Sequence, residues 1–381
     1  MRISGITVYR VSIPFRKPFG HSLYWRDKTE TLIICLESVL GLAGWGEILP
    51  REYLTGETLE NVMTSALPRL VQRWQDQKFD NRDEVTLALR RELCRTSRSL
   101  ATLAGWELAV LDLGGKTFGF PAGEMLGSSV WPKPEEGVVI GFEVPTDKME
   151  MRCILLRLAG TRHLKVKVGR QDDLRRLEIA NGVFGSDVPI RVDANAAWSA
   201  DDAITALLPL RRCNVCSVEQ PVPAGDLDGM RKVRQKTGMS VVADESLCSI
   251  SDAHAIIRAQ AADVFNIRIG KCGGMLASMD LVATARDAGL TCQLGTLVGE
   301  TGILSRASEI FAERIGGFEF LEGKHQNRQL LVQDIVQDGV AKEKAAPGLG
   351  IVIADKPLAQ WTASTVTASE MFQGVQHAYR E

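Results

Sequence analysis

Five charged residues recur in the second half of the chain at nearly equal steps: Lys167, Asp193, Glu219, Asp244 and Arg268, separated by 26, 26, 25 and 24 residues. Each closes a short β-branched segment, in KVKVG (165–169), IRVDAN (190–195), CSVEQP (216–221), VVADES (241–246) and FNIRIG (265–270). Three acids brought side by side would repel one another severely unless a cation lay among them. An all-oxygen donor set, without histidine or thiolate, favours a hard ion, and magnesium takes few protein carboxylates and keeps several waters. The pattern therefore predicts Mg2+ on Asp193, Glu219 and Asp244. Any one acid after a strand could instead cap a helix, but three at one step length argue against that.

Lys165 and Lys167 stand two apart in Leu164-Lys165-Val166-Lys167-Val168, so a strand places both amines on one face and the apolar residues on the other. A lysine beside a bound cation and a second lysine loses some of its preference for the charged form and becomes a usable base. Removing a proton alpha to a carboxylate would leave a dianionic enediolate, which needs a metal and nearby ammonium groups to hold its charge. Metal, base and stabiliser are all supplied by these residues.

The elements that must position them follow from the same step. It extrapolates back to EEGVVIGFEV (135–144) and forward to TCQLGT (291–296) and FEFLEG (318–323), giving eight strands with helical patterns between them. Ser199 with Asp202 resembles a helix start, and Gly289 a helix end. Eight βα units imply a closed (β/α)8 TIM-type barrel over 126–327, with its active site at the C-terminal ends of the strands. Residues 1–125, with alternating segments at 3–14 and 31–38 before helices ending in ATLAGWELAVLDLGG, read as an α+β capping domain. The segment 328–381 is too long for a ninth unit and is expected to return to that domain.

Composition narrows the classes. The chain has 381 residues, 45% hydrophobic and 24% charged, with a formal net charge of −2, so it folds around a sizeable core and has no basic stripe for nucleic acid. No signal-like or membrane-spanning apolar run is present, and the expectation is a cytoplasmic enzyme, with homo-oligomeric assembly as the prior. The eight cysteines are scattered, and Cys213-Asn-Val-Cys216 lacks the second pair a zinc site would need.

These stretches resemble the muconate lactonizing enzyme (muconate cycloisomerase-like) subgroup of the enolase superfamily. The likeness rests on Lys165-Val166-Lys167, Asp193-Ala194-Asn195, Val218-Glu219-Gln220-Pro221, Ala243-Asp244-Glu245-Ser246, and Asn266-Ile267-Arg268 followed by Lys271-Cys272-Gly273-Gly274, and it covers nearly the whole chain. It implies that Lys167 is the base, that Lys165 helps hold the enolate, that the three acids bind Mg2+, and that Asn195 and Glu245 orient the groups in front of them. One position departs from the family pattern. A second catalytic lysine is usual on the sixth strand, whereas here Arg268 stands, which can stabilise an anion but is not deprotonated.

That substitution favours reactions a single base can run on a small-molecule carboxylate: cycloisomerisation, or elimination of water by a lyase (dehydratase). Racemisation or epimerisation of an N-acyl amino acid or dipeptide is the alternative, and a barrel that binds metal and carboxylate without turnover is a third reading. Lys271 has the wrong strand parity for a base and is expected in a loop. Further substrate contacts are expected from Lys271, from Arg51, Tyr53 and Thr55 in the first domain, and from Glu300 and Glu322 after the last strands, although Glu300 could instead cap the next helix. The loop at Phe19-Gly20-His21 resembles a lid over the site, and His325 reads as a surface residue.

Overall fold

The computed structural model describes residues 1–20, 25–95, 98–132, 134–322, 332–333 and 346–371, so His21 and His325 lie outside the described residues. The chain opens with an antiparallel sheet in which β1 (Ile3–Gly20) pairs with β2 (Trp25–Ser38), and β2 with β3 (Ala43–Ile48). Ile6, Val8, Val11 and Ile13 of β1 are all buried.

Short helices α1 (Glu52–Thr55) and α2 (Leu59–Asn61) lead into α3 (Leu67–Trp74), α4 (Arg82–Arg95) and α5 (Leu100–Phe118). Helix α5 is buried on every side from Leu100 to Gly115, as its nearly all-apolar sequence demands. It lies directly on β3 because glycines face each other there. A Cβ on Gly46 would come within 1.9 Å of the Gly105 carbonyl oxygen, so only glycine allows this approach.

The eight anticipated strands then appear in order: β4 (Glu136–Ile140), β5 (His163–Lys167), β6 (Ile190–Asp193), β7 (Val215–Glu219), β8 (Ser240–Ala243), β9 (Val264–Ile267), β10 (Thr291–Leu294) and β11 (Phe318–Glu322). All pair in parallel, and β9 with β10 closes the barrel. Leu164, Val166, Val192 and Val218 are fully buried, and pack outward under the covering helices while the polar partners at alternate positions face the interior. Those helices are α6 (Thr146–Leu158), α7 (Asp173–Phe184), α8 (Ala200–Leu210), α9 (Leu227–Thr237), α10 (Ile250–Ala259), α11 (Met275–Asp287) and α12 (Ile303–Ile315).

After β11 the chain forms a small pair, β12 (Val332–Gln333) with β13 (Val352–Ile353), then α13 (Asp355–Trp361) and β14 (Thr362–Thr367). Strand β14 pairs with β1, so the tail completes the first domain's sheet in the order β14-β1-β2-β3. Among the described residues no helix is long and apolar enough to cross a membrane. The eight cysteines are free thiols.

Buried carboxylates of the first domain dock it onto the barrel. Glu107, in the middle of α5, accepts from the amides of Met275 (2.5 Å) and Leu276 (3.2 Å) at the start of α11. Glu47, in β3, does the same for Thr301 (2.7 Å) and Leu304 (3.1 Å) at the start of α12. Each supplies the cap that the helix's own sequence lacks, its side-chain oxygens accepting from amides that would otherwise be unpaired. Asp112, also in α5, joins Trp45 of β3, Lys116 and Leu349 of the returning tail.

Burial lifts the Glu107 carboxyl from 4.5 to about 8, against the pull of the Leu276 and Met275 amides. A carboxyl whose value is raised by folding keeps its proton longer in the folded chain, so its contribution is full below the unfolded value and is lost as pH rises through about 8. Thermal melting of the Glu107→Gln variant from pH 5 to 8.5 is therefore expected to fall less steeply with pH than that of the wild type. An identical slope would show that Glu107 stays ionised in both states.

Candidate active site

The barrel brings the charged strand ends into one layer. Backbone register sets Lys167 beside Asp193, and Asp193 beside Glu219, while Asp244 and Arg268 each follow the last residue of their strand. All five residues are at least nine-tenths buried. Strands β5 and β9 stand four places apart in a ring of eight, so Lys167 and Arg268 face each other across the mouth, with the three acids along the arc between them.

Lys165 is tied on three sides. Its Nζ donates to Glu219 at 3.1 and 3.2 Å and to Glu322 at 2.8 Å, and it lies 3.5 Å from Asp193. Burial disfavours its charge, but Glu219, Glu322 and Asp193 outweigh that and hold the ammonium well above its ordinary range. Lys165 is thus a fixed positive charge. The other Glu322 oxygen takes Arg191 at 2.8 Å, and that guanidinium lies 3.3 Å over the Phe320 ring. Glu322 was expected to touch substrate; both of its oxygens are instead committed to holding Lys165 and Arg191 in place.

Lys167 donates to Asp193 at 3.1 Å and makes a short contact with the Asn195 side-chain oxygen. Asn195 takes positive φ (45°), a conformation asparagine tolerates, and its amide reaches Glu245 at 3.1 Å. The Glu245 carboxyl is pushed up to about 8 by burial and by the negative charges of Asp244 and Asp193.

Glu219 is enclosed by donors from four residues. Besides Lys165 it accepts from Asn266 (3.0 Å), Gln293 (2.8 Å) and Arg268 (3.3 Å). Arg268 Nη2 also contacts Asp244 at 2.5 Å, and Lys271 donates to the opposite Asp244 oxygen at 2.9 Å and to its carbonyl. Burial opposes charge on Arg268, but Asp244 and Glu219 raise it further above its already high value. Lys271 lies between strand and helix, as expected, and is wholly buried against Asp244. Asn266 and Gln293 were not anticipated. Their signal is a polar residue on the inward parity of an apolar strand, two places before Arg268 and Gly295.

Whether this set suits a metal turns on its oxygens. Among the described residues no three His, Cys, Asp or Glu side chains already converge on one point as ligands. Each neighbouring pair nevertheless holds one cationic nitrogen between its members: Lys165 Nζ between Asp193 and Glu219, and Arg268 Nη2 between Glu219 and Asp244. The donor chemistry is that of a hard divalent ion, and the spacing already accommodates a cation, so the residues fit.

The first domain reaches this mouth through its loops. Tyr53 is held above its ordinary value by burial, with the Arg268 and Arg51 charges opposing. The Thr55 hydroxyl is buried, without a hydrogen-bond partner among the described residues. Arg51 is 4% exposed and donates to the carbonyls of Pro50 (3.0 Å) and Val298 (2.8 Å), which bolts the capping loop to the segment after β10. It makes no exposed salt bridge. Glu300 does not cap α12; its oxygens accept from the Leu297 amide (2.7 Å) and the Ser305 hydroxyl (2.8 Å), and burial raises it to about 7. The cap on α12 comes from Glu47.

Comparison with known proteins agrees with this geometry. A family model described as "Enolase C-terminal domain-like" matches residues 150–356, a little over half of the chain. An N-succinyl-L-Arg/Lys racemase of Bacillus cereus is 29% identical over 310 residues, 81% of this chain and 83% of that protein. Its crystal structure superposes with a TM-score of 0.84, covering 96% of this chain and all of that one at 27% identity. A dipeptide epimerase of Enterococcus faecalis, crystallised with Mg and the dipeptide L-Leu-L-Tyr, gives a TM-score of 0.78 at 26% identity, covering 92% and 99% of the two chains. An o-succinylbenzoate synthase of Bacillus subtilis is 25% identical over 361 residues, 93% of this chain and 95% of that protein. With its closed barrel and antiparallel first domain, this chain belongs to the enolase superfamily and is an enzyme of the mandelate racemase/muconate lactonizing type.

Proposed function

We propose that this enzyme removes the proton alpha to the carboxylate of a small-molecule substrate with Lys167 as the base, and that it is a cycloisomerase or lyase (dehydratase). Asp193, Glu219 and Asp244 would hold Mg2+, whose contribution is to neutralise charge on the substrate carboxylate as the proton leaves. Lys165, locked in the charged state by three carboxylates, adds a permanent positive charge on the Lys167 side. Asn195 fixes the Lys167 amine through the contact with its side-chain oxygen.

One observation carries the choice of reaction. The group facing Lys167 across the barrel is a guanidinium paired with Asp244 and Glu219, which can stabilise an anion but cannot take or return a proton. The second amine on that side, Lys271, is spent on Asp244. A second reading is a racemase or epimerase of an N-acyl amino acid or dipeptide, and the names of the N-succinyl racemase and dipeptide epimerase relatives favour it. We further read the protein as a cytoplasmic homo-oligomer. Met151, Leu155 and Leu158 leave an apolar stripe of α6 exposed, as a subunit contact would.

Solvent-deuterium exchange at the alpha carbon, screened over N-acyl amino acids, dipeptides and acid sugars, separates the readings. The one-base enzyme should label a single enantiomer, and chelation should abolish labelling. Comparable exchange into both enantiomers would establish the epimerase instead.

Two substitutions sharpen this. Lys167→Ala should slow exchange about 10³-fold, the scale of a lost general base, and full activity in that variant would remove Lys167 from its role. Arg268→Lys should open exchange of the opposite enantiomer, because it places a titratable amine across from Lys167.

A further inference from the structure

Arg268 stands in the gap between two of the proposed metal ligands. One nitrogen, Nη2, serves both Glu219 (3.3 Å) and Asp244 (2.5 Å), so those oxygens cannot be given over to a divalent ion while it stays. Two cations on the same acceptors would also repel each other in a buried, poorly screened place.

Unpaired polar atoms beside it offer the guanidinium a second partner. Asn266 and Gln293 both direct their NH2 groups to Glu219, and an ionised carboxylate only accepts, so their carbonyl oxygens must point away from it. Neither carbonyl oxygen has a hydrogen-bond partner among the described residues, and neither has the Nε–H of Arg268. Buried polar atoms left unpaired each cost on the order of 1–3 kcal/mol, which marks an arrangement completed in another state. The vacant acceptor and vacant donor flank one spot. A Cβ on Gly295 would lie 2.4 Å from Asn266 Oδ1 and 3.1 Å from Arg268 Nε, so both unpaired atoms close over the same glycine, and only the absence of a side chain there lets them approach each other.

We propose that Arg268 is a displaceable placeholder: its guanidinium holds Glu219 and Asp244 together until a divalent ion takes them, and then moves to the Asn266 carbonyl beside Gly295. Arginine suits this where lysine would not, because its fork has further donors to engage after Nη2 lets go. The movement makes metal binding and the placement of the cation opposite Lys167 a single event. The inference rests on the metal assignment and not on proton transfer.

Mn2+ titration followed by electron paramagnetic resonance tests it without turnover. Arg268→Met should bind Mn2+ at least tenfold more tightly than the wild type. Loss of one positive charge could produce part of that gain, so Gly295→Ala supplies the discriminating result. It leaves every charge in place but drives a methyl group between Asn266 Oδ1 and Arg268 Nε, so it blocks their pairing, and should weaken Mn2+ binding three- to tenfold. A crystal structure of the wild-type protein with Mn2+ should show Arg268 withdrawn from Glu219 and Asp244, and it decides the matter even if a variant fails to fold. Equal or weaker binding by Arg268→Met, unchanged binding by Gly295→Ala, or an undisplaced guanidinium in the metal-bound crystal would each overturn the proposal. Absence of Mn2+ binding in all forms would remove the metal assignment as well, whereas failure of alpha-proton exchange alone would leave the placeholder intact.

Discussion

Charge balance inside the barrel mouth governs everything else in this protein. Asp193, Glu219, Asp244, Glu245 and Glu322 are all buried there, and taking even one carboxylate out of water costs several kcal/mol unless it is compensated. Lys165, Lys167, Arg191, Arg268 and Lys271 supply that compensation from the same strands or the turns after them. Lys165 serves three of these acids and Arg268 two, while Lys167 pairs with Asp193, Arg191 with Glu322 and Lys271 with Asp244. Removing one member would strand another, and for that reason residues as far from the chemistry as Arg191 and Glu322 belong to the same unit.

The docking of the first domain obeys a related economy. Barrel helices α11 and α12 begin at Gly274 and Gly302, neither of which can cap with a side chain, and both starts are buried. The carboxylates of Glu107 and Glu47 end there, and Arg51 completes the contact from the loop that leads to Tyr53. Because α5 also grips β3 through Gly46 and Gly105 and the tail through Asp112, the capping loops are carried by a rigid block. The mouth is therefore roofed by segments whose position is fixed from behind.

Much of this could be read from the chain itself, for a physical reason. A parallel barrel repeats one unit, so a charged residue at each strand end recurs at a constant step, and the apolar residues on alternate positions declare which face is covered. Lys165, Lys167 and the three acids were legible in that way. What escaped was non-local. Glu322 looked like a free carboxylate because its partners, Lys165 and Arg191, lie 157 and 131 residues away. Glu47 and Glu107 were not singled out, although a lone acid amid ATLAGWELAV is itself a sign of a buried partner. Glu300 offered a cap to α12 by proximity in sequence, and a residue more than 250 positions earlier took that place.

Strand β14 pairs Thr367 with Thr7, joining the two ends of the chain across the whole barrel sequence. An element whose partner lies at the opposite terminus pays the largest loop-closure cost and is assembled late. During synthesis the outer edge of β1 must wait, unpaired, while all eight barrel strands are made. The sheet that roofs the mouth is thus sealed last, which makes the nascent first domain the stage most exposed to edge-to-edge aggregation.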